Sequence, residues 1–201
     1  MKKMVLHIEN DEIMTAAFRE CLEDVLRRRM DGLDVVIRVA RCVDDANQML
    51  DAEDPPYDAL VVDLMLPRTS IGLAEVEALE AQRSAMVRDL LDLGGHTAAV
   101  LGERAAVRAH VDDLDRQLDE RVAPEGGCEV LERLARRTDP SAMLVRPLER
   151  PVVFLTARGL PEVRSRCQRI VQDRYRRFFE KPVDDVEVVD AVLDLLERPG
   201  E

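Results

Sequence analysis

The chain has 201 residues, a net charge of −12 and a hydrophobic fraction of 46%, enough apolar content to pack the core of one large domain or a domain with an appendage. The acidic balance argues against a nucleic-acid-binding surface, because phosphate backbones attract Lys and Arg, and against anionic membrane surfaces. An aromatic fraction of 3% excludes recognition by base stacking and demands an aliphatic core.

The first apolar run, Met4 to Ile8, reads as a strand and runs into Glu9-Asn10-Asp11-Glu12. A helix is predicted over about 12–30 from the spacing of Ile13, Ala17, Cys21, Leu22, Val25 and Leu26, and Asp31-Gly32 ends it. A second strand, Val35 to Ala40, is followed by a short helix at about 43–52, which Pro55-Pro56 breaks. The third strand, 58–63, ends in Asp63. At the far end, strand 151–156 ends in Thr156 and precedes a helix at about 161–173. Strand 175–180 then runs into Lys181-Pro182, before a last helix at about 184–197. Alternating strands and helices of these lengths predict an α/β fold with a doubly wound parallel sheet.

Strand character disappears from about 70 to 122. There Val76, Leu79, Met86, Leu90 and Leu93, with Arg83 in the gap, are followed by Val107, Val111, Leu114 and Leu118. Both sets keep a/d spacing around Gly94-Gly95-His96-Thr97, which predicts an antiparallel helical hairpin. Glu125-Gly126-Gly127 marks a break, Cys128 to Arg137 a further helix, and 138–150 a polar loop. No run reaches the ~18 apolar residues of a membrane helix. The apolar run after Lys2 and Lys3 is too short for a signal peptide, so a cytoplasmic protein is expected. Cys21, Cys42, Cys128 and Cys167 lack metal or redox spacing and are expected to be reduced core fillers.

In a parallel sheet the carboxyl ends of the strands line the ligand-binding edge. Each polar group at those ends has a plain structural alternative. Asp63 could cap a loop, Asp11 and Glu12 could open a helix, Thr156 could be an N-cap, and Lys181 a surface cation. Together they place acids, a lone aspartate, a hydroxyl and one of only three lysines at one edge. An aspartate can accept a phosphoryl group there if a cation neutralises the charge. Mg²⁺ takes hard oxygen ligands, and a lysine pairs with a phosphoryl oxygen as a point charge.

The segments VLHIENDE, YDALVVDLMLP, PVVFLTARG and FFEKP resemble, in order, the signature segments of the receiver domain of two-component response regulators. The match spans 1–67 and 123–201. The resemblance implies a flavodoxin-like sheet of order 2-1-3-4-5, a single domain over 1–201, and a helical hairpin inserted at about 70–122. It implies that Asp63 accepts the phosphoryl group and that Mg²⁺ is held by Glu9, Asn10, Asp63 and the carbonyl of Met65. Thr156 becomes the switch hydroxyl, Phe178 the switch aromatic, and Lys181 the lysine that contacts the phosphoryl group. Lys181-Pro182 would be a cis peptide.

Two features depart from the pattern. The second acidic position holds Asn10, which brings no charge unless Asp11 or Glu12 compensates. The glycine and helix that normally follow the phospho-aspartate closely are matched best at Gly127, far down the chain, with Gly72 as a rival. The expected function is a stand-alone receiver, not an enzyme, phosphorylated by a sensor histidine kinase or phosphotransfer protein. Its output would be contact with a downstream protein, with the hairpin as output surface or as a homodimerisation arm. The alternative is a phosphorylation-independent pseudo-receiver adaptor. A phosphohydrolase is disfavoured, because Met65 stands where a second aspartate is needed. None of the three histidines (His7, His96, His110) suggests a metal or phosphotransfer site.

Overall fold

Strands at the two ends of the sequence meet in one parallel sheet. A computed structural model describes residues 2–28, 33–52, 57–93, 98–123, 125–138, 148–156, 161–181 and 183–197. In chain order β1 (Lys2–Ile8), α1 (Glu12–Arg28), β2 (Asp34–Ala40), α2 (Val43–Ala52) and β3 (Ala59–Asp63) come first. Next are β4 (Leu66–Pro67), α3 (Ser70–Asp92), α4 (Ala98–Arg121), β5 (Val122–Ala123) and α5 (Gly126–Thr138). The chain closes with β6 (Val152–Thr156), α6 (Pro161–Ile170), β7 (Arg176–Glu180) and α7 (Asp185–Glu197).

The sheet order is β2-β1-β3-β6-β7, all neighbours parallel. Because β4 and β5 belong to a separate ribbon, this is the order 2-1-3-4-5 among the sheet strands, as the resemblance implies. Every residue of β3 and of β6 is buried, as strands covered on both faces must be. Alternate residues feed two cores. Val5, Val61 and Val153 pack with Phe18 and Leu22 of α1 and with Val189, Val192 and Leu193 of α7. Leu6, Leu60, Val62 and Phe154 pack with α2, α5 and α6 on the other side.

β1 begins two residues earlier than expected, because its ladder with β2 runs from Lys2↔Asp34 to Ile8↔Ala40. The helix predicted over 161–173 stops at Ile170. The carbonyl of Ile170 accepts from the Leu148 amide at 2.6 Å, and Arg176 donates to the carbonyls of Gln168 and Val171. These partners take over the helix end, and a short 3₁₀ turn over Asp173–Tyr175 leads into β7. The expected stop at Asp31-Gly32, the Gly94–Thr97 turn, most of the 138–150 loop and the peptide to Pro182 lie outside the described residues.

In the stretch read as a hairpin, α3 packs along α4. Val76 and Leu114 are fully buried at its base, whereas Leu79, Met86, Val107 and Val111 stay half-buried. Two helices cannot enclose a seam by themselves. Arg83, at a seam position, turns to Asp115 at 2.5 Å, and Arg121 reaches Glu75 at 3.0 Å. The entry and exit of the hairpin are stapled together where β4 pairs antiparallel with β5, Leu66↔Ala123 and Pro67↔Val122. The fold can therefore interrupt itself between 67 and 122 without opening the sheet. α5 then resumes the layer, packed on α2 and α6.

The cysteines need a correction. Cys128 of α5 and Cys167 of α6 are joined in a disulfide, with Cα atoms 5.8 Å apart. Their separation of 39 residues hides that two neighbouring helices bring them face to face. Cys21 and Cys42 are free.

Candidate functional site: the carboxyl edge of the sheet

The register sets the site. Glu9 extends β1 past its last paired residue, and its amide donates to the carbonyl of Ala40 at 3.0 Å. Asp63 ends β3 opposite Leu155, one residue short of Thr156. The Lys181 amide donates to the Thr156 carbonyl at 2.7 Å, which carries the lysine past the end of β7 and back over the edge. Groups separated by 172 and 118 positions meet there. The Lys181 ammonium donates to Glu9 Oε2 at 2.6 Å and to Asp63 Oδ2 at 2.7 Å.

All three groups are withdrawn from water. Glu9 is 1% exposed, Asp63 4% and the Lys181 side chain 16%. Burial first, and the Asp63 charge second, push the Glu9 carboxyl up to about 7, against the pull of Lys181. Burial alone would lower the Lys181 pKa, but Asp63 and Glu9 outweigh it and raise it. One ammonium thus serves two buried carboxylates, and one negative charge is left without a counter-charge.

That deficit is what a divalent cation would fill, and hard carboxylate oxygens are the donors Mg²⁺ takes. The third donor is weak. Among the described residues no group of three or more His, Cys, Asp or Glu side chains is placed to hold a metal. Neither of Asn10's acidic neighbours compensates for its missing charge. Asp11 Oδ1 accepts from the amides of Ile13 at 2.8 Å and Met14 at 3.2 Å and so caps α1. Glu12 pairs with Arg41 at 2.8 Å.

The other expected residues lie around this centre. The Met65 amide donates to Asp63 Oδ1 at 2.9 Å, fixing the turn that follows the aspartate. Thr156 is buried at 9% exposure. Phe178 is half-buried and stacks on Phe154, with centroids 4.3 Å apart and an interplanar angle of 10°. The Arg164 guanidinium lies over the ring at 5.0 Å from its centroid, a cation–π contact. His7 lies two residues before Glu9 as a neutral core residue, 4.7 Å from Phe18. Burial, with Lys181 and Arg19 adding to it, lowers its pKa to about 3. His110 is exposed beside Gln82, and His96 lies outside the described residues.

Between the two candidate glycines the geometry favours Gly127. A Cβ there would lie 2.3 Å from the Asp63 carbonyl oxygen and 2.8 Å from Val62 Cγ1. At Gly72 the nearest atom would be Thr69 Oγ1, at an ordinary 3.5 Å. The first turn of α5 therefore lies directly on the strand end that carries Asp63, and the Gly127 amide donates to the Leu64 carbonyl at 3.3 Å. Gly127→Ala is expected to destabilise the fold by about 1–3 kcal/mol, the usual cost of overpacking. Gly72→Ala should be tolerated. Urea unfolding of the two variants checks the contrast.

Arg41 went unrecognised in the sequence, although the same signal marks it: it is the charged residue directly after an apolar strand. Its guanidinium donates to Glu12, to the Asn10 carbonyl at 2.9 Å and to Glu77 of the hairpin at 2.5 Å.

No protein-family model and no curated protein matches the chain. Solved structures do. A signal receiver domain of an HD domain-containing protein from Pseudomonas fluorescens is similar at a TM-score of 0.52 and 14% identity, over 98% of this chain and 96% of that one. The phosphorylated cyanobacterial phytochrome response regulator RcpA is similar at 0.51 and 14%, over 98% and 95%. A response regulator receiver domain protein from Clostridium thermocellum is similar at 0.50 and 13%, over 98% and 95%.

Proposed function

With the chain established as having the response-regulator receiver fold, we propose that it accepts a phosphoryl group on Asp63 from the phosphohistidine of a sensor histidine kinase or phosphotransfer protein. One observation carries the reading: Glu9, Asp63 and Lys181 converge at hydrogen-bond distance from three strand ends. An Asp63 oxygen attacks phosphorus, the P–N bond breaks, and the imidazole leaves with its electron pair. Lys181 then turns from the carboxylates to a phosphoryl oxygen, and the Thr156 hydroxyl donates to another. Glu9, Asp63, the Asn10 amide oxygen and the Met65 carbonyl would hold Mg²⁺. The ion supplies charge neutralisation as phosphate approaches a carboxylate.

In this reading the protein is a phosphorylated signalling element, not an enzyme with turnover of its own. Its setting is cytoplasmic, a compartment in which disulfides such as Cys128–Cys167 are uncommon. Output passes to a downstream protein through surfaces that the phosphoryl group rearranges, the hairpin among them, with homodimerisation through the hairpin as one form of it. Incubation with acetyl phosphate and Mg²⁺ should add one phosphoryl mass to the wild-type chain and none to Asp63→Asn. An equal mass in both, or none in either, ends the proposal.

A second reading draws on the Asn10 loop. With Asn10 uncharged, and Asp11 and Glu12 committed elsewhere, a pseudo-receiver adaptor would use the fold without the phosphate. Calorimetric titration separates the two, since the adaptor shows no saturable Mg²⁺ binding.

A further inference from the structure

We propose that Arg41 is the positioning residue of the acidic loop and that, through Glu77, the hairpin controls that loop. The inference rests on the phosphoryl-acceptor reading. Arg41 directly follows Ala40, whose carbonyl holds the Glu9 amide, so it lies beside the loop that begins at Glu9. One guanidinium nitrogen donates to Glu12 Oε1 at 2.8 Å; the other donates to the Asn10 carbonyl at 2.9 Å and to Glu77 Oε1 at 2.5 Å. The three partners belong to the start of α1, to the loop itself and to α3. The contacts are charge-assisted, and the side chain is only 28% exposed. Only a planar fork of donors satisfies three directions at once.

The arrangement matters because of Asn10. A neutral amide adds no Coulombic attraction for a cation, so its worth as a ligand depends on where its backbone is held. Arg41 holds that backbone by its carbonyl. A cleft of about 750 Å³ opens between the loop and α3, lined by Asn10, Asp11, Glu12, Arg41, Glu77 and Glu80 among others. Across it, Glu77 is the residue of α3 bonded to Arg41. A partner that displaces α3 therefore pulls on the guanidinium and on the Asn10 peptide. Coupling between two sites is reciprocal, so loading Asp63 and its cation must in turn steady α3.

The test uses the full-length chain, with Mg²⁺ affinity read by calorimetry and α3 protection by hydrogen exchange. Arg41→Lys keeps the charge and loses the fork, and should weaken Mg²⁺ about tenfold, as loss of an outer partner of a ligand does. Glu77→Gln keeps an acceptor but removes the charge from the hairpin contact alone, and should weaken Mg²⁺ about fivefold. Glu80→Gln removes the same charge from the same cleft without touching Arg41's hydrogen bonds, and should stay within about twofold. Mg²⁺ with beryllofluoride should slow exchange in the first half of α3 in wild type, and clearly less in Glu77→Gln.

If Glu80→Gln weakens Mg²⁺ as much as Glu77→Gln, the effect is general electrostatics and the positioning role is overturned. It is also overturned if the wild type loads and α3 exchange does not change, or if the two Arg41-contact variants bind Mg²⁺ as wild type does. A wild type that binds no Mg²⁺ and takes no label from acetyl phosphate removes the phosphoryl-acceptor reading first, and this inference with it. Glu77 is half exposed, so its variant folds and remains informative even if Arg41→Lys does not.

Discussion

Lys181→Met is expected to destabilise the metal-free protein by about 3–5 kcal/mol, the cost of stripping the partner from a buried charge. The reason is geometric. Lys181 lies 2.6 Å from Glu9 and 2.7 Å from Asp63, and both acids are buried. Methionine fills most of the same space, so the loss is of charge and not of packing. Two carboxylates would then face each other, with backbone amides donating to them from Asp11 at 3.2 Å and Met65 at 2.9 Å. Urea unfolding in a chelating buffer, well above the folded-state Glu9 pKa of about 7, measures the cost. On the proposed reading, added Mg²⁺ should return part of it by mass action, as a ligand of the folded state alone does. A loss below about 1 kcal/mol, the value of an exposed pair, would mean that the three groups do not form a buried cluster.

The candidate site was legible because its polar groups sit at strand ends, and strand ends are marked by where an apolar run stops. Glu9, Asp63, Thr156 and Lys181 could be found that way without knowing the strand order. Phe178 could be placed only through its distance from Lys181 in the resembled pattern. The helices α3 and α4 were legible from the spacing of Val76, Leu79, Val107 and Val111, but the ribbon that ties their outer ends was not. Two-residue ribbons such as Leu66–Pro67 with Val122–Ala123 carry no periodicity, and they pair only because the insertion brings their ends together. Ion-pair assignments depend on partners distant in the chain. Nothing in the sequence tells Asp11, which caps a helix, from Glu9, which faces Asp63. Arg41 and the Cys128–Cys167 pair were missed for the same reason, since their partners sit on other elements. The sequence marks which groups reach the edge of the sheet, and the fold decides which of them meet.

The same shared ammonium predicts an unusual dependence of stability on pH. The Glu9 carboxyl moves from an ordinary 4.5 to about 7 in the fold, raised by burial first and by Asp63 second. Between those values the folded chain holds a proton that the unfolded chain has released. Stability from this group is therefore fully present below about 4.5, falls as pH rises through the window, and is gone above about 7. At about 1.4 kcal/mol per unit, the shift from 4.5 to about 7 makes the loss about 3.5 kcal/mol. Glu132 and Asp58, whose pKa values are lowered by Arg166 and by Met4 and Lys3 respectively, act at more acid pH and with the opposite sign. Glu80 and Asp185 are shifted upward as Glu9 is, so the Glu9 share is isolated by difference. Glu9→Gln should remove that share, leave Lys181 paired one-to-one with Asp63, and make the metal-free protein more stable than wild type above neutrality. It should also bind Mg²⁺ far more weakly, because the charge that destabilises the empty fold is the charge that attracts the cation. Unfolding free energies of both proteins across this window, with and without Mg²⁺, test the two halves together. If wild type instead gains stability over Glu9→Gln as pH rises, the Lys181 contact outweighs burial, and Glu9 is a structural ion pair.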